Sequence, residues 1–289
     1  MKNKITPIVK SEYHFQGTLS SSHESKFMRV IECKWVEFGS ITKKLIEENT
    51  VRSSNLGETL KGLWFRGQSN AKWDLFTTLE RHTKQKMGVT TYNSVVVTIG
   101  SLITSLTPDL PVFEKNVIVS TPESIHYRTF PNIELAVYLR HHGFPSPLLD
   151  WSESPYVAAF FAFNNIPKDS SHVSIIVLEH PRVKNGELGF GLHEVGRYIA
   201  GGKRHSYQQA RYTWCSKVED GICFFDSHHN QHKKLLTKIV LPVSDAKEAL
   251  ADLSLMNINE YSMLGTTDAL IKSNLSILED YGFKKSESD

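Results

Sequence analysis

Two largely apolar runs constrain the fold more than any other feature of the sequence. They are "VSIIVLE" at 173–179 and "KLLTKIVL" at 234–241, both of strand length and rich in β-branched residues. Continuous apolar runs are typical of strands that are covered on both faces. Helical patterns lie before and after these runs, so the sequence predicts one mixed-sheet α/β (α+β) domain with packed helices.

Two helices are predicted from apolar spacing. In "PNIELAVYLRHHG" at 131–143, Leu135 and Leu139 lie four residues apart and share one helical face. The segment "SPYVAAFFAFNN" at 154–165 has Pro155 at an early position and apolar residues nearly all round. The second helix is therefore expected to be buried.

Other segments give shorter predictions. "FMRVIECKWVEF" at 27–38 predicts a strand, and "ITKKLIEEN" at 41–49 predicts a helix. "GLWFRG" at 62–67 predicts a short buried strand, since it is aromatic and bounded by glycines. The β-branched stretch at 90–106 fits either a helix or a strand. "TTDALIKSNLSILEDY" at 266–281 predicts a closing amphipathic helix.

Composition narrows the class of protein. The 289 residues carry 33 Lys+Arg against 31 Asp+Glu, and a net charge of +2 produces no overall field for nucleic acid. The three cysteines, an odd number, suit free thiols in a reducing compartment. The first residues contain no continuous apolar segment, and no run is long enough for a bilayer. We therefore expect a soluble, cytoplasmic protein with no membrane partner.

The histidine cluster "DSHHNQHKK" at 226–234 invites a metal interpretation. His228 and His232 are four residues apart and would share a helical face. A third ligand at a recognised spacing is missing from the sequence, so we predict no metal site.

Two separated stretches carry the strongest signal. They are "LWFRGQ" at 63–68 and "HHGFPSPLLDWSESPYVAAFFAF" at 141–163. Together they resemble the signatures of the FRG domain, a bacterial domain named for its Phe-Arg-Gly tripeptide. The resemblance is best over residues 60–165, and we predict a loose arm at 1–25 followed by an FRG domain at 26–285.

The resemblance to the second signature is close but not complete. The residues in matching places are His141, His142, Gly143, Pro145, Leu148, Leu149, Asp150 and Trp151, with an acid, Glu134, upstream on the same helix. Three positions depart from the family pattern. Arg140 stands where glutamine is usual, Ser146 where threonine is usual, and Pro147 where arginine is usual. The last of these, the loss of the arginine at position 147, removes any salt bridge or anion contact that the family makes there.

The order of these features is similar to that of the ADP-ribosyltransferase fold, which implies NAD as a co-substrate. By this resemblance, Arg66 would pair with the NAD pyrophosphate as a planar donor fork. Gly67 would let the ligand approach the backbone, and Trp151 would stack on the nicotinamide or wall its pocket. Asp150 would belong to the catalytic set. Ser152 belongs to the second element of that fold, the Ser-Thr-Ser-type segment before an apolar helix.

Each of these residues also has a structural alternative. Asp150 or Ser152 would serve equally as a cap for the apolar helix that follows. Arg66 would fit an ion pair with a core acid, and His141 would fit either a core hydrogen bond or a proton transfer. Glu134 would either anchor one of these side chains or act directly.

The later catalytic acid is less constrained by the sequence. Glu219, just before the strand "ICFF" at 222–225, is the candidate that would stabilise a developing positive charge on the ribose. The alternative is that 219–221 forms an ordinary exposed turn. Glu260 is a second, lower-ranked acid.

Two functions follow from this reading. The first is an NAD-using ADP-ribosyltransferase or NAD glycohydrolase, acting as a bacterial toxin or phage-defence effector on a protein or nucleic-acid acceptor, with an antitoxin or other partner protein. The second is a non-catalytic module that binds a nucleotide, nucleic acid or protein. The two functions differ in one expected feature. The enzyme requires an acid that faces Arg66, Asp150 and Trp151 across one cleft, and the binding module does not.

Overall fold

The computed structural model describes residues 29–55, 62–107, 110–114, 130–179, 191–195, 202–228, 236–273 and 283. Eight strands form a single mixed sheet. They are β1 Arg29–Glu32, β2 Trp64–Gln68, β3 Leu149–Ser152, β4 His172–Leu178, β5 Leu192–Val195, β6 Ala210–Glu219, β7 Ile222–Asp226 and β8 Leu236–Pro242. The predicted fold class, a single mixed α/β domain, is confirmed.

The sheet order is β1-β8-β4-β2-β3-β6-β5, and β7 also pairs with β6. Strands β1 and β8 are parallel, whereas β4 lies antiparallel to both β8 and β2. The two runs that most constrain the sequence, β4 and β8, are therefore interior neighbours. This position explains why both are apolar on both faces.

Nine α-helices lie within the described residues. They are α1 Trp35–Asn55, α2 Thr78–His82, α3 Val89–Ile103, α4 Ile133–His141, α5 Pro155–Phe163, α6 Gly202–Tyr207, α7 Ala246–Leu255, α8 Glu260–Leu264 and α9 Thr267–Ser273. The ambiguous stretch at 90–106 is helical, and the predicted helices at 131–143 and 154–165 are confirmed. The predicted arm at 1–25 and most of the stretch at 226–234 lie outside the described residues.

The predicted strand at 27–38 is wrong over its second half. The strand ends at Glu32, and α1 begins at Trp35. The backbone N–H of Trp35 donates to a carboxylate oxygen of Asp245 at 2.8 Å, and its indole N–H donates to Asp252 at 2.8 Å. Two acids more than two hundred residues away thus support this helix start.

The core has three apolar clusters around the sheet. One joins α1, α5 and α7 to the sheet and includes Phe38, Phe65 and Phe160. A second packs α3 and α4 against β6, around Tyr92 and Trp214. A third contains Trp64, Leu75, Leu149, Trp151, Ile176, Leu178 and Leu236. Adjacent β2 residues Trp64 and Phe65 fall in different clusters, as the alternation of a strand requires.

Helix α5 is buried, as predicted, but its cap differs from either residue considered in the sequence. The side-chain oxygen of Ser154 accepts the backbone N–H of Val157 at 3.3 Å, with Pro155 following as the first helical residue. Ser152 instead accepts the N–H of Ser154 at 3.0 Å. Ser154 is therefore the N-cap of this helix.

We expect Ser154→Ala to lower the free energy of unfolding by about 1 kcal/mol, because an N–H at the helix start loses its acceptor. Urea denaturation of the purified protein measures the change. The exposed Ser101→Ala in α3 is the matched control and should unfold like the wild type. An equal midpoint for Ser154→Ala would contradict the cap.

None of the helices in the described part of the chain is long and apolar enough to cross a membrane.

Candidate functional site

The site is centred where β2 and β3 meet. The register between these antiparallel strands joins Phe65 to Ser152. One residue further along β2, the Nη1 of Arg66 donates to the backbone carbonyl of Asp150 at 2.8 Å. The same nitrogen lies 3.8 Å from Oδ2 of Asp150. The structure therefore places Arg66 against Asp150, the proximity that the two motifs predict.

Asp150 forms a second and closer ion pair with Arg140, in the last turn of α4. Nε of Arg140 donates to Oδ1 of Asp150 at 2.7 Å, and Nη2 of Arg140 donates to Oδ2. This is the two-point arrangement in which a guanidinium and a carboxylate match in shape. Nη1 of Arg140 also donates to the hydroxyl of Thr78 at 3.1 Å.

Thr78 ties this ion pair to the segment that precedes β3. Its hydroxyl accepts the backbone N–H of Ser146 at 2.8 Å and donates to the Ser146 carbonyl at 3.2 Å. The neighbouring Leu79 N–H donates to the same carbonyl at 3.0 Å. Helix α2, the turn at 145–147 and α4 are thus held to one another through Thr78 and Arg140.

The charges of the site shift its ionisation equilibria. Burial acts to raise the pKa of Asp150, but the charge and hydrogen bonds of Arg140, together with Arg66, outweigh it and hold that pKa at about 2. Burial lowers the pKa of Arg66 to about 10, with the positive charges of Arg140 and Arg81 acting in the same direction. At neutral pH, the guanidinium groups of Arg140 and Arg66 therefore share the carboxylate of Asp150.

The interior of the site has unmet hydrogen-bonding capacity. Nε of Arg66 and Oε1 of Gln68 are both buried, and neither has a hydrogen-bond partner among the described residues. These two residues are separated by one position on β2 and lie on the same face of the strand. A buried donor and a buried acceptor without partners are costly in a folded protein, and they are typical of a position that binds a small polar group or water.

Gly67 faces helix α5, in contrast to the expectation that it leaves room for a ligand. A Cβ at this position would lie 2.0 Å from the carbonyl oxygen of Ala158 and 2.6 Å from the backbone nitrogen of Ala162. Both are main-chain atoms of α5. The need for glycine is therefore explained by close packing of the strand on the helix.

Trp151 and Ser152 are also engaged inside the protein. Trp151 is buried, and its indole N–H donates to the hydroxyl of Thr213 on β6 at 2.8 Å. The Ser152 hydroxyl donates to the backbone carbonyl of Gln208 at 2.8 Å. These contacts account for both side chains without a ligand, so the expected stacking of Trp151 on a nicotinamide ring does not fit its surroundings.

His141 lies beside the ion pair and joins a second polar chain. Its Nε2 is 3.2 Å from the hydroxyl of Tyr212, which lies opposite Asp150 in the β3–β6 register. The same hydroxyl is 3.3 Å from Nδ1 of His205. Because one hydroxyl can donate only once, the other imidazole must donate to it. His141 and His205 thus share the hydroxyl of the buried Tyr212.

Glu219 does not reach this site. It ends β6 and lies seven residues beyond Tyr212, the cross-strand partner of Asp150, which corresponds to about 23 Å along a strand. Hydrogen bonds from Lys217 and then Lys86 lower the pKa of Glu219 to about 2. The expectation that Glu219 faces Arg66 is therefore corrected by the strand geometry.

The alternative interpretation of 219–221 as a turn fits the structure. Asp220 and Gly221 both have left-handed backbone angles, with φ of 50° and 76°, and connect β6 to β7. This is the two-residue hairpin turn that asparagine, aspartate and glycine favour.

Glu134 is in the first turn of α4, at the opposite end from Arg140 and His141. Seven residues along a helix correspond to about 10 Å, which separates Glu134 from His141. The acid is therefore not brought to the ion pair. Glu260 begins α8, outside the strands that form the site.

The sequence places Arg140 in a binding cleft with Arg66 and His142 under the module hypothesis, but it indicates neither the pairing of Arg140 with Asp150 nor the participation of Thr78. Arg140 also appears in the sequence as a departure from a family pattern, although its place in the last helical turn, followed by a short turn to Asp150, is compatible with pairing. Thr78 carries no motif. Only the folded arrangement brings it to the site.

Metal ligation finds no support in the described part of the chain, where His, Cys, Asp and Glu form no group of three or more that could hold an ion. His228 is buried, with Nε2 at 2.9 Å from the Thr213 hydroxyl. His232 lies outside the described residues.

The comparison with protein families concerns the part of the chain that holds the arginine–aspartate cluster. Residues 61–171 match the family model described as the FRG domain, a span that contains Arg66, Arg140 and Asp150. The match supports an FRG domain in this part of the chain, and the rest of the predicted range 26–285 stays a prediction. Neither a curated protein nor a solved structure matches the chain.

Proposed function

We propose that this chain is an NAD-using, ADP-ribosyltransferase-like enzyme that binds the diphosphate of NAD at Arg66. The observation that carries the proposal is that Arg66 and Arg140 share the one carboxylate of Asp150, while Nε of Arg66 is buried and has no hydrogen-bond partner among the described residues. A diphosphate supplies both the missing acceptor and the missing negative charge.

In the proposed reaction, the bond between nicotinamide and ribose breaks, nicotinamide leaves with the electron pair, and water or an acceptor bonds to the ribose carbon with loss of a proton. Asp150 stays ionised at neutral pH, so its carboxylate stabilises positive charge nearby. Arg140 holds that carboxylate in one orientation through two hydrogen bonds. His141, next to Asp150, is the group suited to hold or accept the proton.

A second candidate is a non-catalytic nucleotide-binding module. Glu219 lies about 23 Å along β6 from the Asp150 position, and Asp150 is the acid whose charge acts on Arg66. Both oxygens of Asp150 are also already bound by Arg140. This arrangement suits recognition of an anion. A module of this kind would bind NAD without releasing nicotinamide, whereas the enzyme would release it.

For the biological role, we propose a bacterial toxin or phage-defence effector that acts in the cytoplasm. Its acceptor would be a protein or nucleic acid, and an antitoxin or other partner protein would restrain it. This part of the proposal rests on the resemblance to ADP-ribosyltransferases alone.

The deciding experiment measures nicotinamide release from NAD and NAD binding by calorimetry, with cell extract as a source of acceptors. Arg66→Lys keeps the positive charge but loses Nε and the planar fork. We expect it to weaken binding and turnover roughly 10- to 100-fold, the effect of a lost charge-assisted hydrogen bond. Arg29→Lys is the matched control. Arg29 lies on the edge strand β1, away from the site, and pairs with Glu48 of α1.

The outcomes separate the two candidates. Release that falls in Arg66→Lys but not in Arg29→Lys supports the enzyme, and Glu219→Gln should then release nicotinamide at the wild-type rate. Binding without release supports the module. A wild-type protein that neither binds nor cleaves NAD would reject the enzyme and leave a module for another nucleotide, a nucleic acid or a protein, and equal activity of Arg66→Lys would reject Arg66 as the binding group.

A further inference from the structure

The loop at 69–77, between β2 and α2, is held in place by hydrogen bonds to three neighbouring parts of the fold. The Ala71 N–H donates to the carbonyl of His172 at 2.8 Å, and the side chain of Lys238 donates to the carbonyl of Ala71. Nε2 of Gln68 donates to the carbonyl of Asp74 at 3.1 Å. The loop is therefore anchored to β4, β8 and β2.

This anchored loop exposes two large aromatic rings. Trp73 is 49% exposed and Phe76 is 42% exposed, whereas Leu75 between them is buried. Exposure alone does not identify a site, since other large apolar side chains of this protein are exposed as well. What distinguishes Trp73 and Phe76 is their position next to the arginine cluster.

The proximity of the loop to Arg66 follows from the strand geometry. Gln68 and Arg66 lie on one face of β2, two positions and about 7 Å apart. Gln68 binds the backbone of Asp74, the residue after Trp73. Arg81, whose charge acts on Arg66, donates from Nη1 to the carbonyl of Phe76 at 3.2 Å.

Charges of both signs lie near the two rings. Lys72 and Arg81 are exposed beside them, and the charge of Arg81 acts on Arg66. Of the two nearby acids, Glu80 is bound to the backbone N–H of Thr77 at 2.7 Å, as part of the α2 capping box. Asp74 is the other acid. Exposed aromatic rings beside cations bind nucleotides by base stacking together with phosphate pairing.

We propose that the loop at 69–77 is the base-binding subsite of a nucleotide whose phosphates bind at Arg66, with Trp73 as the stacking ring. Phe76 borders the base, and Lys72 and Arg81 face the sugar–phosphate. This inference rests on the proposed function, since it takes the anion at Arg66 to be a nucleotide phosphate. It assigns the base of that nucleotide to Trp73 and Phe76, which lie outside both sequence motifs.

The test compares ADP-ribose with inorganic pyrophosphate, which lacks a base, by calorimetry on the full chain. Trp73→Ala should raise the Kd for ADP-ribose roughly tenfold, the typical effect of one lost base stack, and should leave pyrophosphate binding unchanged. Trp73→Phe retains a ring and should stay within about threefold of the wild type. Tyr261→Ala, at a 46% exposed tyrosine of α8, is the matched control.

The outcomes distinguish this inference from the proposed function. A Kd for ADP-ribose that is equal in Trp73→Ala and the wild type overturns the subsite, even if Arg66→Lys weakens both ligands as proposed. Equal weakening of pyrophosphate and ADP-ribose by Trp73→Ala also overturns it, because the ring would then act through the loop structure. A wild-type protein that binds neither ligand overturns both proposals.

Discussion

Gly67→Ala is expected to destabilise the fold by about 3 kcal/mol or more, at the upper end of the usual cost of overpacking. The new Cβ would fall 2.0 Å from the Ala158 carbonyl oxygen and 2.6 Å from the Ala162 nitrogen. Both neighbours are main-chain atoms, so no side-chain rotation relieves the contact. Helix α5 would have to move away from β2, and the buried phenylalanines of α5 would lose packing contacts.

Urea denaturation with circular dichroism measures this effect, and poor recovery of soluble protein would be its extreme form. Gly62→Ala is the matched control, because a Cβ there meets nothing within 4 Å. It should change stability by less than about 0.5 kcal/mol. If Gly67→Ala unfolds like the wild type but no longer binds NAD, the ligand-approach interpretation of Gly67 would replace the packing one.

Asp150→Asn is expected to lower the free energy of unfolding by about 2–3 kcal/mol at pH 7, because two guanidinium groups would lose their counter-charge. Full burial of an unpaired charge costs more, but the Asp150 side chain is 43% exposed and solvent screens part of the effect. Unfolding midpoints of both proteins at pH 7 give the difference. The exposed Asp169→Asn should leave the midpoint unchanged.

The stabilising effect of the Asp150 carboxylate is expected to depend on pH, and the direction follows from its pKa. The folded pKa of Asp150, about 2, lies below the ordinary value of 3.8, so its carboxylate stabilises the fold above about pH 4. This contribution is lost as the pH falls from about 4 through 2. The stability difference between the wild type and Asp150→Asn should therefore shrink over that range. A constant difference down to pH 2 would contradict the ion pair as its source.

A double-variant cycle isolates the Arg140–Asp150 contact. Arg140→Met combined with Asp150→Asn removes both charged partners. The double variant should therefore lose less free energy of unfolding than the sum of the losses in the two single variants. Additive effects would show that the two side chains act independently.

The sequence by itself determined the elements whose residues carry their own pattern. Strands β4 and β8 follow from apolar runs, α4 and α5 from helical spacing, and the β6–β7 turn from an aspartate and a glycine that tolerate left-handed backbone angles. The proximity of Arg66 to Asp150 was also predictable, but only from two motifs that resemble a family. Local preference is encoded within a few residues, which is why these features can be read directly.

Tertiary structure decided the features that depend on partners distant in the chain. The start of α1 at Trp35 depends on Asp245 and Asp252, and "FMRVIECKWVEF" contains no sign of either acid. The pairing of Asp150 with Arg140 depends on the turn between α4 and β3, and Gly67 is required by the approach of α5. Glu219 was expected at the site, but it lies at the far end of the ten-residue strand β6 and is distant from Asp150. Spacing along the chain does not specify distance in space, so these contacts emerge only when the sheet is assembled.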